Sequence, residues 1–161
     1  MSSNFIDVGT FHHRFGLDHV VRRDTDTHEV IANEPGPREI DTELLEFRIK
    51  FLAEELQEFA HAAGFSFEFD FKPNFGAVVD HPKAFDALLD LAYVVFGTAH
   101  LLGYPWQEGW ARVQYANMQK ERADGADDQR STRKHTLDVV KPEGWEPPDI
   151  KAVLEAHGFV V

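Results

Sequence analysis

Carboxylates standing where apolar side chains belong constrain this chain more than any other feature. From Ala84 to Leu102 the residues are apolar or small apart from one stripe. At about 100° per residue, Asp90, Tyr93, Gly97 and His100 all fall within about 40° of Asp86. The pattern predicts a largely buried helix that starts at Pro82 and stops at Gly103. Its single polar line carries two aspartates one turn apart. Buried aspartates are rare without a partner, so something has to satisfy these two. A membrane does not, because two central carboxylates are expensive in lipid. A plainer reading makes Asp86 a helix-start residue and Asp90 a satisfied core aspartate, but it leaves a second such segment unexplained.

That second segment is residues 41–63. A helix is predicted from an N-cap at Asp41 or Thr42 to a stop at Gly64. Leu44, Phe47, Phe51, Leu52, Leu56 and Phe59 share one broad face. Glu54, Glu55 and Glu58 fall within about 60° of Phe51, inside that face. Glu46, Lys50 and Gln57 take the solvent positions. Core-facing glutamates are costly unless paired, and a divalent cation removes the cost. The spacings Glu55–Glu58 and Glu54–Glu58 each let two carboxylates reach one ion. The plainer alternative is a helix whose inner face frays into solvent near its end.

A third helix is predicted from Pro105 to about Arg122. Trp106, Trp110, Val113, Asn117 and Lys120 line one face of it, so an apolar stripe ends in an amide and an ammonium. A polyphosphate needs such groups, although Lys120 taken alone reads as a lysine snorkelling at a helix end.

The 161 residues fit a single domain, with a core at 41–122 and an irregular C-terminal tail at 123–161. The expected fold class is all-α, a bundle of four to five helices. A short first helix spans Phe5–Leu17, residues 18–40 form a loop around Glu34-Pro-Gly-Pro37, and a last helix runs from Asp149 to His157. Between the first two long helices, Phe65, Phe67, Phe69 and Phe71 alternate with polar residues. Residues 65–80 therefore read as a short β-hairpin or as an extended arm. These helices cannot cover one another's apolar faces, so a homodimer or homotetramer is expected.

Net charge is −12 and there is no cysteine. The first excludes general nucleic-acid binding, and the second excludes thiolate metal sites and cysteine nucleophiles. An acidic protein with an anionic substrate needs a local positive device, and a carboxylate-held metal is the commonest. The N-terminus lacks an apolar signal core, so the cytoplasm is the expected location. His12 and His13 are adjacent and point apart on a helix, which argues against a metal pair.

Taken in order, Glu54-Glu-Leu-Gln-Glu58, Asp86-Ala-Leu-Leu-Asp90-Leu-Ala-Tyr93 and Asn117-Met-Gln-Lys120 resemble the MazG-like all-α nucleoside triphosphate pyrophosphohydrolases. That superfamily includes phosphoribosyl-ATP pyrophosphohydrolase and dimeric dUTPases. The resemblance implies Mg²⁺ (or Mn²⁺) held by Glu54, Glu55, Glu58, Asp86 and Asp90. It implies that Glu54 or Glu55 is the base for a water attacking the α-phosphorus, with pyrophosphate leaving. Asn117 and Lys120 would meet the phosphates or sugar, helped by Lys134, Arg133 or Lys141 from the tail. Tyr93, Trp106, Phe11 or Phe15 would stack on the base. The second motif departs from the common ExxD, which puts an acid at Ala87, so Asp86 is a less secure ligand than Asp90. The strings FHHRFGL, DLAYVVFGTAHLLG and KPEGWEPP resemble short MazG-like proteins of bacteriophages, some of which hydrolyse dGTP to dGMP.

Two other classes compete. Glu58-Phe-Ala-His61 is an ExxH of the ferritin-like di-iron kind, but Gly97, not an acid, stands three residues before His100. A non-catalytic binding module would use the phenylalanine arm at 65–76 and leave the acids without metal.

Overall fold

The structure, a computed structural model, describes residues 3–17, 42–72 and 78–161. It is mostly helical, with five helices and one two-stranded ribbon among these residues. The chain divides into two compact units, Pro35–Ala84 and a discontinuous one made of Met1–Glu34 with Phe85–Val161. The predicted loop at 18–40 and the N-cap candidate Asp41 lie outside the described residues.

In the first of these units α2 spans Thr42–Ala62. Gly64 ends it at φ +84°, a conformation that costs glycine nothing. Phe65 then donates its N–H to the Ala60 carbonyl at 2.8 Å. Residues 65–72 turn back along the helix without pairing as strands. Gln57 Nε2 donates to the Phe67 carbonyl at 3.1 Å, and Lys50 Nζ sits 5.0 Å from the Phe71 ring centroid. Over 65–72 the segment forms no strand and lies as an arm on its own helix rather than on a neighbour; residues 73–77, where the hairpin turn was expected, lie outside the described residues. Side chains of α2 take up the arm, so no described strand offers its backbone a ladder. Lys50 and Gln57, expected to face solvent, are the positions that hold it.

In the other unit α1 spans Asn4–Arg14, capped by the Ser3 side chain, which accepts from Ile6 N–H. It docks on α4, Trp106–Asn117. The Trp110 indole N–H donates to Asp7 Oδ2 at 2.8 Å, and Gln114 Nε2 donates to the Asp7 carbonyl at 3.1 Å. The last helix, α5, spans Ile150–Ala156, and Asp149 caps it by accepting from Ala152 N–H at 2.9 Å. His157 and Glu108, 2.9 Å apart, tie its end to the start of α4. Phe15, Ala116, Ala123, Leu137, Val140 and Val153 are buried.

The third long helix, α3, spans His81–Leu101 and runs across the division between the units. Asp80 Oδ1 accepts from the Lys83 N–H at 3.3 Å, so the helix is capped one residue before it starts. Ala99 is its only buried residue, while Phe85, Leu88, Leu89, Val94 and Val95 are exposed. The expected burial of this helix is therefore not supplied by the described residues. Length and composition alone would let α3 cross a membrane, a test that core helices pass as well.

Two expectations for the C-terminal third need correcting. The helix predicted to reach Arg122 ends at Asn117, so Lys120 is not on the helical face assigned to it. Gln119 N–H bonds to Ala116 O and Lys120 N–H to Asn117 O, in tight turns that close the helix. The chain is then captured by a ladder. Strand β1, Glu121–Arg122, pairs antiparallel with β2, Val139–Val140. Nor is the tail irregular throughout. The buried Ser131 hydroxyl donates to buried Asp138 Oδ2 at 2.7 Å and accepts from Lys134 N–H at 3.0 Å. That second bond fixes Lys134 at φ +50°.

Candidate functional site

The acids of the first motif occupy the last two turns of α2. Because the helix is continuous from Thr42 to Ala62, Glu54 and Glu58 stand one turn apart on one side and Glu55 beside them. Glu54 is half-buried, whereas Glu55 and Glu58 are exposed. On α3 the unbroken helix likewise puts Asp86 and Asp90 on one side, both exposed, with exposed Tyr93 one turn further on. Within each unit, among the described residues, no three His, Asp or Glu side chains gather at metal-binding range. The structure brings the acids together along each helix and leaves them in line.

The donor set suits a hard divalent cation. All five are carboxylates, there is no thiol in the chain, and one one-turn carboxylate pair stands on each of α2 and α3. Oxygen ligands of this kind select Mg²⁺ or Mn²⁺ over softer metals. His61 is exposed in the last turn of α2 and has no described ligand-forming companion group.

Asn117 and Lys120 stand at the end of α4, both half-buried. Trp145 packs there from the tail. Its indole N–H donates to the carbonyl of Ala116 at 2.9 Å. Both Lys120 and Lys141 place their ammonium groups by its ring. Trp145 was missed in the sequence, since nothing in Lys141-Pro-Glu-Gly-Trp145 announces a docking site on a helix 29 residues away.

The remaining tail cations have other company. Lys134 Nζ donates to the Asp128 carbonyl at 2.9 Å, and Arg133 Nη1 lies 3.4 Å from Asp138 Oδ1. Arg130 bonds the Asp128 carboxylate through Nε and Nη2, at 3.1 and 2.9 Å, and reaches Glu121 at 3.0 Å. The arginine hydrogen bonds, with the N–H groups of Asp124 and Arg130, hold the Asp128 carboxyl well below the usual carboxylate range. The same pairing with Asp128, then Glu121, raises Arg130.

Of the aromatic candidates, Phe15 is buried against Phe11, with ring centroids 4.8 Å apart, so it serves the core. Trp106 stacks on Trp110 at 6.1 Å and meets Phe96 edge-on at 4.9 Å. Its indole nitrogen is buried with no acceptor among the described residues. Beside Trp110, Asn4, Asp7, Gln114 and Tyr115 line an open cleft of about 470 Å³ between α1 and α4.

The sequence model of the phosphoribosyl-ATP pyrophosphohydrolase family matches residues 25–117. The chain belongs to that family. The match runs through α2, α3 and α4 and ends at Asn117, so it takes in the acids of both motifs and stops where the tail begins. Membership makes the fold MazG-like and all-α, and it places the chain among the nucleotide pyrophosphohydrolases, hydrolases of phosphoric anhydrides. None of the curated proteins compared with the chain matches it.

Proposed function

We propose that the chain hydrolyses a nucleoside triphosphate, ribo or deoxy, to the monophosphate and pyrophosphate with Mg²⁺ or Mn²⁺. The observation that carries this reading is the ordered set of acids, Glu54, Glu55 and Glu58 on α2 and Asp86 and Asp90 on α3, inside the family-matched segment. Those five carboxylates would hold the metal, which supplies charge neutralisation at the phosphates and lowers the pKa of water. Glu54 or Glu55 takes the proton of the attacking water. Asn117 and Lys120 meet the phosphates from the end of α4, where an ammonium and an amide offset charge that grows as the anhydride bond breaks. Tyr93 and Trp106 are the candidates to stack on the base, and Lys134 is a further candidate near the phosphates.

The base is proposed as guanine, in a role of reshaping a nucleotide pool in the cytoplasm of a phage host. Support for this is the likeness of the chain's ends to short phage proteins. The exposed apolar residues of α3, among them Phe85, Leu88, Leu89, Val94 and Val95, support a homodimer or homotetramer.

The test is a panel of the eight common nucleoside triphosphates plus dUTP and phosphoribosyl-ATP, each with Mg²⁺, Mn²⁺ or EDTA, resolved by chromatography. Monophosphate and pyrophosphate should form from one nucleotide, and EDTA or Glu58→Ala should abolish them. Turnover that persists in EDTA would remove the metal from the mechanism. No turnover at all would leave the binding-module reading. Light scattering on the eluting protein reads the assembly.

A further inference from the structure

The cleft between α1 and α4 joins side chains that the fold pins with others that it leaves uncommitted. Trp110 is pinned twice, by its N–H on Asp7 Oδ2 at 2.8 Å and by its ring stacked on Trp106. Gln114 is pinned by the bond from Nε2 to the Asp7 carbonyl at 3.1 Å. A carbonyl takes only the NH₂ end of an amide, so Gln114 Oε1 is the end left over, an acceptor with a fixed orientation. Asn4 and Gln107 also line the cleft, and neither side-chain amide makes a hydrogen bond among the described residues. Tyr115 completes the lining, 71% exposed and stacked on no other described ring.

These groups decide the chemistry that the cleft accepts. Its lining carries the Asp7 carboxylate and no lysine, arginine or histidine. A carboxylate without a cation repels phosphate, so the polyphosphate does not belong there. Neutral amides beside aromatic rings suit a nucleobase, which is flat, uncharged and edged with donors and acceptors. The dimensions suit two fused rings. Gln107 and Gln114 stand about 10 Å apart along the helix axis, at 1.5 Å per residue, and the volume is about 470 Å³. Asn117, the amide assigned to the phosphates or sugar, follows Gln114 by three residues on the same helix. That is about 5 Å along the axis and about 60° round it.

We infer that the α1–α4 cleft is a purine subsite, in which Asn4 and Gln107 read the edge of the base and Tyr115 stacks on its face in place of Tyr93 and Trp106. The inference rests on the proposed triphosphate substrate and deepens it. Asn4 lies outside the family-matched segment 25–117, so α1 brings to that domain a wall from beyond it. Asp7 is a positioning residue. Its carboxylate holds Trp110 and its carbonyl holds Gln114, which fixes both walls before a base enters.

The test is a saturation-transfer NMR titration of the full chain, in EDTA, with the deoxynucleosides of guanine, adenine, cytosine and thymine, which carry no phosphate. It is run alongside steady-state kinetics on whichever nucleotide is turned over. The purine deoxynucleosides should bind, and the pyrimidine ones at least tenfold more weakly. Asn4→Leu removes one or two neutral hydrogen bonds and Tyr115→Leu a stacked ring, so each should weaken purine binding about tenfold. Each should raise KM by a similar factor, with the loss falling on KM rather than kcat. The two changes lie on different helices, so a folding defect in one leaves the other as the test. No purine binding by the wild type, equal binding of purines and pyrimidines, or purine affinity within twofold of wild type in the folded variants overturns the inference. Nucleotide turnover with an unchanged KM in those variants overturns the subsite and leaves the activity standing. Purine binding that depends on Asn4 and Tyr115, without turnover of any nucleotide, keeps the subsite and removes the activity.

Discussion

Replacing Asp138 by alanine tests whether the tail is held by its buried polar knot. Asp138 and Ser131 are only 4% and 2% exposed, the two buried polar residues of the described chain. The carboxylate accepts the Ser131 hydroxyl at 2.7 Å and the Val139 N–H at 2.9 Å, with Arg133 at a longer 3.4 Å. Hydrogen bonds to a charged group contribute about 1.5–3 kcal/mol each, and a buried donor left without a partner costs about 1–3 kcal/mol. Asp138→Ala strands the serine hydroxyl and also the N–H that opens β2. It should therefore cost about 3 kcal/mol. In a chain of 161 residues that lowers the melting temperature by roughly 6–12 °C. Ser131→Ala leaves the carboxylate its other two partners but takes the acceptor from the Lys134 N–H, so it should cost somewhat less than Asp138→Ala, about 2 kcal/mol. The double variant should cost less than the sum of the two singles, since neither partner is then stranded. Urea unfolding at fixed protein concentration, followed by tryptophan fluorescence, measures all three. An Asp138→Ala within about 0.5 kcal/mol of wild type, or strictly additive losses, would refute the assignment.

Two further outcomes follow from the same unit. Trp110→Phe removes the indole N–H that α4 donates to Asp7 and should destabilise the docking of α1 by about 2 kcal/mol, read as earlier loss of amide protection in α1 than in α4; equal protection in wild type and variant would show the bond to be idle. Asp128 has its carboxyl held below the usual range, so its contribution is present above pH of about 4 and is lost as pH falls further. The stability gap between wild type and Asp128→Asn should therefore narrow steadily as pH falls below about 4, and parallel thermal-denaturation curves over that range would contradict the sign.

The helices were legible because their signals are local. Gly64, Gly103 and Gly158 stop α2, α3 and α5 at positive φ, and the apolar period runs through each of the two long helices. The carboxylates were legible because an acid inside an apolar stripe is anomalous whatever surrounds it. What the sequence hid was non-local. Nothing near Asn117 says that α4 stops there, because the ladder that captures the chain comes from Val139 and Val140. Asp80 is hard to recognise as the cap because Pro82, two residues on, is the stronger local starting signal. The phenylalanine alternation at 65–71 fits a strand equally well as an arm, and only the side chains of Lys50 and Gln57 decide between them. The covering of α3 is likewise not written in its own residues, since an apolar face specifies that it be covered and not by what.

The fastening of α1 has a consequence for how the protein is made. Asp7 and Trp110, which join α1 to α4, are 103 residues apart, and the whole of the other unit is synthesised between them. At about 5–20 residues per second, α1 waits roughly 5–20 s after leaving the ribosome before its partner helix exists. It has no buried residue of its own except its C-cap, Phe15, and eleven residues are too few for a stable isolated helix. The earlier-made helix of this pair is thus secured only once α4 has emerged. During translation its exposed Phe5, Ile6 and Val8 are open to whatever binds nascent chains.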